Sequence, residues 1–437
     1  MGIEIIPIGG YSEIGRNCTA IKVDDEVVIL DMGLHMENYI KYTDSDDIVD
    51  LSPRGLIKMD AVPNINVLKE LKDKTVAICT SHAHLDHIGA IPFLANEFSC
   101  PVYATPFSIE VLKTSINDDK INFKNELIAK PENSTFKVSD NLEIEFINVT
   151  HSTPQTVMIA IHTKYGVVLY GNDYKLDKTP TFGEKTNTKR LEELKPKVFI
   201  VDCLYSTNYA HTPSEMVAKE KLTEILLDNN ISKQSIFVTT FSSHIARLKT
   251  IKELGQKIGR EVVFLGRSLN KYLASAENAD LIKFNDVTQV KYSSKVKKFL
   301  SKIDNPEKYL FVVTGHQGEP KATLSKIVFN DFFNFKPDDI VIFSCQIIPV
   351  PINYENRRRL ETGIKQKQVK IYKDVHASGH ASREDQREVF RIVKPEIIIP
   401  VHGDNERMLA MKSLAIEEGY TKDKIILLKN NQRVNID

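Results

Sequence analysis

Long hydrophobic runs, paired cysteines and any imbalance of charge are missing from these 437 residues, and each absence removes a class of function. No stretch approaches the ~20 consecutive apolar residues of a membrane span, so no membrane partner is expected. The opening "MGIEIIPIGGYSEIG" carries an acid and lacks both a basic leader and a long apolar core. A secretory signal is therefore not expected, and a cytoplasmic location is. Cys18, Cys79, Cys100, Cys203 and Cys345 are scattered, with no CxxC among them. That pattern excludes a structural zinc ribbon and leaves reduced, mostly buried thiols. The 58 basic residues balance 58 acidic ones, so a polyanion would have to meet a local patch rather than a global field. No repeat, low-complexity tract or long linker interrupts the chain.

What is present is an ordinary globular composition, 42 % hydrophobic and 27 % charged, in a chain long enough for roughly two or three domains. Residues 1–204 are rich in short apolar or alternating runs, "IEIIPIG", "CTAIKV", "EVVILDMG", "TVAICTS", "LEIEFINVT", "TVMIAIHT" and "GVVLYGND", which read as strands. Over 205–370 the rhythm changes. "SEMVAKEKLTEILLDNN", "HIARLKTIKELGQKIG" and "NYENRRRLETGIKQ" read as helices, alternating with strands in "QSIFVTTF", "EVVFLGRS", "YLFVVTGHQG" and "DDIVIFSCQ". Alternation at this spacing predicts βαβ units and a mainly parallel sheet. Residues 371–437 return to strand, loop and helix, with strands expected in "EIIIPVHGD" and "KIILLKN". The strands of the middle segment end in "TTFSSH", "LGRS", "TGHQGEP" and "FSCQ". In an open parallel sheet such carboxyl ends share one edge, where backbone N–H groups suit phosphate oxygens.

The densest chemistry is "SHAHLDHIGA", in which a quarter of the twelve histidines fall within six positions. His82 and His84 can point the same way from an extended turn, while Asp86 and His87 enter the next turn and face a neighbouring position. Imidazole nitrogens and carboxylate oxygens at this spacing suit two borderline divalent cations able to clamp a scissile phosphate. Two ions need more than four ligands. His151 in "NVTHSTP", Asp173 in "LYGNDYK" and His402 in "IIIPVHGD" each follow an apolar run and precede a turn.

In order and character these seven residues resemble the ligand set of metallo-β-lactamase-fold hydrolases. The middle segment resembles the β-CASP domain of their nucleic-acid branch. The nearest likeness is to the ribonuclease J family in its shorter archaeal form, carried by "IGGYSEIGRN", "TTFSSHIARL", "LGRS", "TGHQGEP", "ASGHAS" and "KPEIIIPVHGDNERM". The resemblance implies an α/β chain, an αββα sandwich (1–204 and 371–437) with an inserted β-CASP domain (205–370). It implies that His82, His84 and His151 hold one metal, that Asp86, His87 and His402 hold the other, and that Asp173 bridges them. Asp31 would orient a ligand from behind. The ions would most readily be Zn2+, with Mn2+ as the alternative, since the donor set does not decide between them.

The resemblance also makes His380, in "SGH", the proton donor to the leaving oxygen, with His376 shaping the site. One departure stands out. Where the family has an acid directly before "STN" this chain has Tyr205, and the nearest acid is Asp202. Either Asp202 reaches His380 through a local shift, or the tyrosine hydroxyl replaces the carboxylate, or the pair is weakened. For RNA contact the resemblance points to Arg267, Ser268, the loop Gly315, His316, Gln317, Gly318 and Glu319, and to Ser378, Gly379 and Ser382. The basic stretches 295–300 and 355–373 are candidates for local positive charge. No aromatic stacking platform can be picked from the sequence.

The activity implied is 5′→3′ removal of nucleotides from 5′-monophosphorylated single-stranded RNA, in RNA decay and maturation, by a homodimer. A β-CASP endonuclease of the cleavage and polyadenylation type and a catalytically impaired RNA-binding protein are the alternatives. A small-molecule hydrolase of the same fold is disfavoured by the large second segment.

Overall fold

In the computed structural model, residues 2–43, 49–228, 231–348 and 350–436 are described. The chain divides into two compact units, one of residues 1–178, 183–212 and 379–437, the other of residues 179–182 and 213–378. Among the described residues no helix is long and apolar enough to cross a membrane, and all five cysteines are free and buried.

The first unit contains two sheets. One has seven strands in the order Val434–Ile436, Ile3–Gly9, Cys18–Val23, Glu26–Leu30, Thr75–Cys79, Val102–Ala104, Leu127–Ala129. The other has six, in the order Ile397–Val401, Val198–Asp202, Gly166–Gly171, Val157–Thr163, Glu143–Asn148, Ser134–Lys137. Each is parallel at one end and antiparallel at the other. Side chains alternate across a strand, and the second sheet uses both faces. Val168, Tyr170, Ile200 and Ile399 join Ile5, Ile21, Val28 and Ala77 of the first sheet in one core. Their neighbours Leu169, Phe199, Val201 and Ile398 turn the other way, onto Leu191, Val389, Phe390, Met411 and Leu414 of three helices. The helix Pro106–Asp118 packs against the first sheet. Helix, sheet, sheet and helix therefore stack as the resemblance implied.

The second unit holds six strands in the order Thr288–Val290, Glu261–Leu265, Tyr309–Val313, Ile236–Thr239, Ile340–Phe343, Lys370–Tyr372. Every pair is parallel. The runs "IFVT", "VVFL" and "IVIF" are apolar without alternation because parallel strands are covered on both faces. On one face Phe237, Val263, Phe311 and Val341 meet Val296, Leu324, Ile327, Leu360 and Ile364 of the helices Ser293–Leu300, Thr323–Phe329 and Pro351–Gln366.

The expected boundaries of the insert shift. Lys370–Tyr372 pairs with Ile340–Phe343, so residues after 370 still belong to the parallel sheet, and the unit runs from Pro213 to Ser378 rather than from 205 to 370. "KIILLKN" does not form the expected strand. It contributes only an isolated bridge between Ile425 and Ile398, and the short edge strand Val434–Ile436, which the sequence pattern did not suggest, completes the first sheet instead.

A buried ion pair ties the second unit together. Arg247, fully buried, donates through Nη2 to Glu215 Oε2 at 2.7 Å and through Nη1 to the carbonyls of Ser344 and Val375 at 3.0 Å each. His244 Nε2 lies 3.3 Å from the same carboxylate. Burial alone would raise the Glu215 pKa, but His244 and Arg247 outweigh it and hold the carboxyl well below its ordinary range. Glu215→Ala leaves the guanidinium buried without its counter-charge and should cost about 3–5 kcal/mol in chemical denaturation. Because the folded-state pKa is depressed, the glutamate's contribution is complete above its unfolded pKa of about 4.5 and is lost as pH falls below it. The stability gap between wild type and variant should therefore narrow on acidification.

Candidate metal centre

The residues singled out by sequence in the first unit converge at the carboxyl ends of central strands. Asp31 follows Glu26–Leu30, the "HAHLDH" turn follows Thr75–Cys79, and His402 follows Ile397–Val401. His151 and Asp173 stand just beyond Glu143–Asn148 and Gly166–Gly171. Asp31, Asp173 and His402 have left-handed backbone, with φ of 57°, 58° and 58°. Such a conformation costs of order 1–3 kcal/mol for a residue other than glycine and collects at functional sites. The "HAHLDH" backbone is gripped from both sides. Met32 N–H donates to the His87 carbonyl at 2.7 Å, Leu34 N–H to that of Leu85 at 2.9 Å, and Asn17 N–H to that of Asp86 at 3.0 Å. Only glycine fits at position 33, where a Cβ would stand 1.7 Å from the Asp86 carbonyl oxygen.

Two donor groups form, and Asp173 belongs to both. One is His82, His84, His151 and Asp173; the other is Asp86, His87, Asp173 and His402. In the first, His84 Nδ1 lies 3.1 Å from His82 Nε2 and 3.2 Å from His151 Nε2, and Asp173 Oδ2 lies 3.5 and 3.7 Å from His82 and His151. In the second, His87 Nε2 lies 3.3 Å from Asp173 Oδ2 and 3.6 Å from Asp86 Oδ2, and His402 Nε2 is 3.7 and 3.8 Å from the same two residues. Donors placed tetrahedrally at roughly 2.0–2.1 Å from a common centre stand about 3.4 Å apart, so both groups match the spacing of a divalent cation's ligands. Asp173 Oδ1 is buried without a hydrogen-bond partner, an acceptor that a cation would satisfy.

Electrostatics prepare the same donors. Burial lowers the His84 pKa to about 4. Burial, with neighbouring imidazoles, holds His82 and His151 well below the ordinary value. These rings stay neutral near neutral pH and keep a lone pair free. Burial would also raise the Asp173 pKa, but the imidazoles of His87, His380 and His402 outweigh it and keep the carboxylate ionised.

Behind the donors, Asp31 is fully buried. Its Oδ2 accepts from His87 Nδ1 at 2.8 Å, from Ser81 Oγ at 2.8 Å and from Tyr170 Oη at 3.0 Å, and its Oδ1 from Ser81 N–H at 2.7 Å. Burial would lower the His87 pKa, but Asp173, Asp86 and Asp31 outweigh it and hold it well above the ordinary value; the Asp31 contact keeps a proton on Nδ1, so a cation would compete only for Nε2, which faces Asp86 and Asp173. His151 Nδ1 donates to the Gly379 carbonyl at 2.6 Å and leaves Nε2 free in the same way. Ser81, Tyr170 and Asn17 had no role in the sequence reading. Asn17 is buried, with Nδ2 3.1 Å from His87 Nε2 and Oδ1 3.1 Å from His402 Nδ1. Its only sequence signal was its place in "IGRN".

His380 completes the centre. Its Nδ1 lies 3.0 Å from Asp202 Oδ2 and its Nε2 3.7 Å from Asp173 Oδ2. The Tyr205 ring stacks on it at 5.6 Å. Asp202 thus reaches His380 from the end of its strand, and the tyrosine supports the ring from the side. The His380 side chain is 17 % exposed, against 0 % for His82, His87 and His151.

Other expected contacts fall elsewhere. The Ser382 hydroxyl is buried, taking hydrogen bonds from Asn208 and Thr212 at 3.0 and 2.9 Å beside the start of the helix Arg383–Val393. Its oxygen thereby helps to anchor the start of that helix. Gly379 serves through its carbonyl, and a Cβ there would press on the His151 ring at 2.8 Å. Arg267, Ser268, His316, Gln317, Glu319, His376 and Ser378 belong to the second unit. Arg267 and Ser268 are exposed at the start of the helix Arg267–Asn278. The strand before them ends at Leu265, paired with Val313 just ahead of the 315–319 loop. Those two segments therefore share one sheet edge. Gly315 and Gly318 take positive φ, 108° and 81°. Gln317 is committed to the 346–348 backbone, and the His316 ring packs 4.1 Å from that of Phe241.

Comparison with known proteins agrees in both units. Residues 56–223 match the model of the beta-lactamase superfamily domain, 233–358 that of the ribonuclease J beta-CASP domain, and 368–427 that of the Zn-dependent metallo-hydrolase RNA specificity domain. Ribonuclease J of Methanocaldococcus jannaschii is 39 % identical over all of this chain and 99 % of its own length. This chain belongs to the ribonuclease J family. Ribonuclease J of Pyrococcus abyssi is also 39 % identical, over 99 % of this chain and 96 % of its own. That of Helicobacter pylori strain 26695 is 27 % identical over 99 % of this chain but 61 % of its own. A solved structure of a protein of unknown function from Enterococcus faecalis shares the fold, with a TM-score of 0.69 at 18 % identity over the whole of both chains.

The Asp31 contacts predict that Asp31→Asn, which weakens the hold on His87 without touching a donor atom, lowers metal affinity about 10–100-fold in chelator competition. Unchanged affinity would remove Asp31 from the support of the centre.

Proposed function

We propose that the chain is a two-metal ribonuclease that removes nucleotides 5′→3′ from 5′-monophosphorylated single-stranded RNA, with Zn2+ as the resident ion and Mn2+ as the alternative. The observation that carries this reading is the pair of donor groups sharing Asp173 in a member of the ribonuclease J family. His82, His84 and His151 would hold one ion and Asp86, His87 and His402 the other, with Asp173 between them. Cations there would polarise the phosphoryl oxygens and lower the pKa of water.

The chain's own part centres on His380. Burial would lower its pKa, but Asp173 and Asp202 outweigh this and push it up to about 9. The ring is then protonated at neutral pH, and with Nδ1 turned to Asp202 it has Nε2–H to give to the leaving oxygen. Asp202 fixes the ring's orientation, the part that Tyr205 leaves open by standing where the family has an acid. In the second unit, Arg267, Ser268 and the 315–319 loop at one sheet edge support contact with a terminal phosphate; Ser378, Gly379 and Ser382 are the further candidates for RNA contact, and His376 would help to shape the site. A homodimer in the cytoplasm is the working form we infer from the family.

His84→Ala should abolish cleavage with little change in the folded state, and wild-type turnover would reject the donor assignment. His380→Ala should slow the chemical step about 10²–10⁴-fold while metal content and RNA binding persist; loss of both ions would make His380 a ligand. The direction of cleavage is tested with one RNA labelled at either end and carrying a 5′-monophosphate or a 5′-triphosphate. Terminal mononucleotides released faster from the monophosphate are expected. Internal fragments indifferent to the 5′ end would mean an endonuclease.

A further inference from the structure

The second unit carries a surface that none of the site residues explains. Between Lys291 and Lys302 the sequence "KYSSKVKKFLSK" has five lysines and no acid, in a chain whose charges otherwise cancel. Lys295, Lys297, Lys298 and Lys302 are exposed. Spacings of three and four residues put like charges beside one another on a helix, which is destabilising. Other exposed cations of this protein are paired in clusters: Arg387 meets Glu384, Glu417 and Glu418, and Arg391 meets Glu418. Among the described residues, no carboxylate pairs with Lys291, Lys295, Lys297, Lys298, Lys302, Arg358 or Arg359.

Aromatic rings interleave with these cations. Tyr292 is 52 % exposed, with Lys291 and Lys295 Nζ at 5.6 and 5.7 Å from its ring centroid. Lys297 Nζ stands 5.5 Å from Phe332, and Arg359 5.2 Å from Phe329, itself 43 % exposed. The helices Ser293–Leu300, Thr323–Phe329 and Pro351–Gln366 bury their inner sides in one core against the same face of the parallel sheet. Their outer sides therefore form a continuous strip, running from Tyr292 past Phe332 and Phe329 to Arg358 and Arg359.

We propose that this strip is a binding surface for single-stranded RNA, separate in sequence and composition from the metal-binding residues. Unpaired lysines and arginines track the phosphates, and Tyr292 and Phe329 offer faces on which bases stack. Duplex nucleic acid would use the charges but hide its base faces, and an acidic protein would use neither ring in this way. The combination of cation and exposed ring favours the single strand. The choice of RNA as polymer rests on the ribonuclease reading above. The consequence for function is a hold on long substrates that short ones do not feel.

The test uses the full-length, metal-loaded protein and a hydrolysis-resistant phosphorothioate oligouridylate of roughly 20 nucleotides, longer than the about 4–16 that a single-strand site occupies. Fluorescence anisotropy is read across a salt series. Replacing Lys295, Lys297 and Lys298 by glutamine should raise Kd at least tenfold and reduce the slope of log Kd against log salt by about 2. Tyr292→Ala should weaken binding about fivefold or more, and Tyr292→Phe should restore it. Cleavage of a pentanucleotide, at the short end of the about 4–16 nucleotides that a single-strand site occupies, should be unchanged in every variant. Unaltered Kd and salt slope in the triple variant would overturn the proposal, as would equal binding of duplex RNA or equal competition by polyglutamate. Failure of the wild type to cleave the pentanucleotide would reject the ribonuclease reading instead, since the anisotropy does not depend on cleavage.

Discussion

Five imidazoles, from His82, His87, His151, His380 and His402, stand 3.3–3.7 Å from one buried carboxylate, Asp173. A carboxylate taken out of water is costly unless its charge is met, and most of the first unit is arranged to meet it. Four strands of two different sheets must end within a few ångströms of one another for these side chains to converge. That convergence requires the two sheets to pack face to face, which the shared core of Ile5, Ile21, Val28, Tyr170, Ile200 and Ile399 accomplishes. The surrounding network then has little freedom. Asp31 fixes His87, the Gly379 carbonyl fixes His151, and Asp202 fixes His380. The first two contacts hold a proton on Nδ1 and leave Nε2 of His87 and His151 facing inward, while the third sets the His380 ring with its Nε2 toward Asp173.

The two units solve different problems with the same element types. In the first, mixed sheets place donors from four strand ends around one point. In the second, an all-parallel sheet buried on both faces offers a row of loops along one edge and, on its helical side, an outer surface with unpaired positive charge. The buried Glu215 and Arg247 pair belongs to this second architecture. The guanidinium collects carbonyls from residues 344 and 375, which local sequence gives no reason to bring together.

How much of this was legible in the sequence varied with the range of the interaction. "HAHLDH" announces itself because four donors lie within six residues. His151, Asp173 and His402 could be added because each follows an apolar strand and precedes a turn. Apolar runs without alternation gave away the buried parallel sheet. What could not be read were residues whose importance comes only from distant partners. Asn17 meets His402 across most of the chain, and Tyr170 reaches Asp31 through the core. Ser382 follows "SGH", but that its oxygen accepts from Asn208 and Thr212 was not readable from its neighbours in sequence. The Tyr205 departure left three possibilities open. Strand Val198–Asp202 ends so that its last residue faces His380, a matter of register that spacing in the sequence does not reveal. "KIILLKN" has the composition of a strand, yet makes one bridge, while the less apolar Val434–Ile436 pairs with the first strand.

The order in which the donors occur along the chain has a bearing on synthesis. Asp31 and the "HAHLDH" turn are made early, and His151 and Asp173 follow, but His402 is separated from them by the entire second unit, residues 213–378. Its strand, Ile397–Val401, pairs with Val198–Asp202, and the helices that cover the outer face of that sheet include residues 383–393 and 405–417. At about 5–20 residues per second, a nascent chain passes many seconds with the residues of one donor group complete and the other missing a histidine. Until its closing segment emerges, the polypeptide carries its metal-binding residues on a half-covered sheet. Such a chain can be threaded beside its own messenger before it is equipped to act on it.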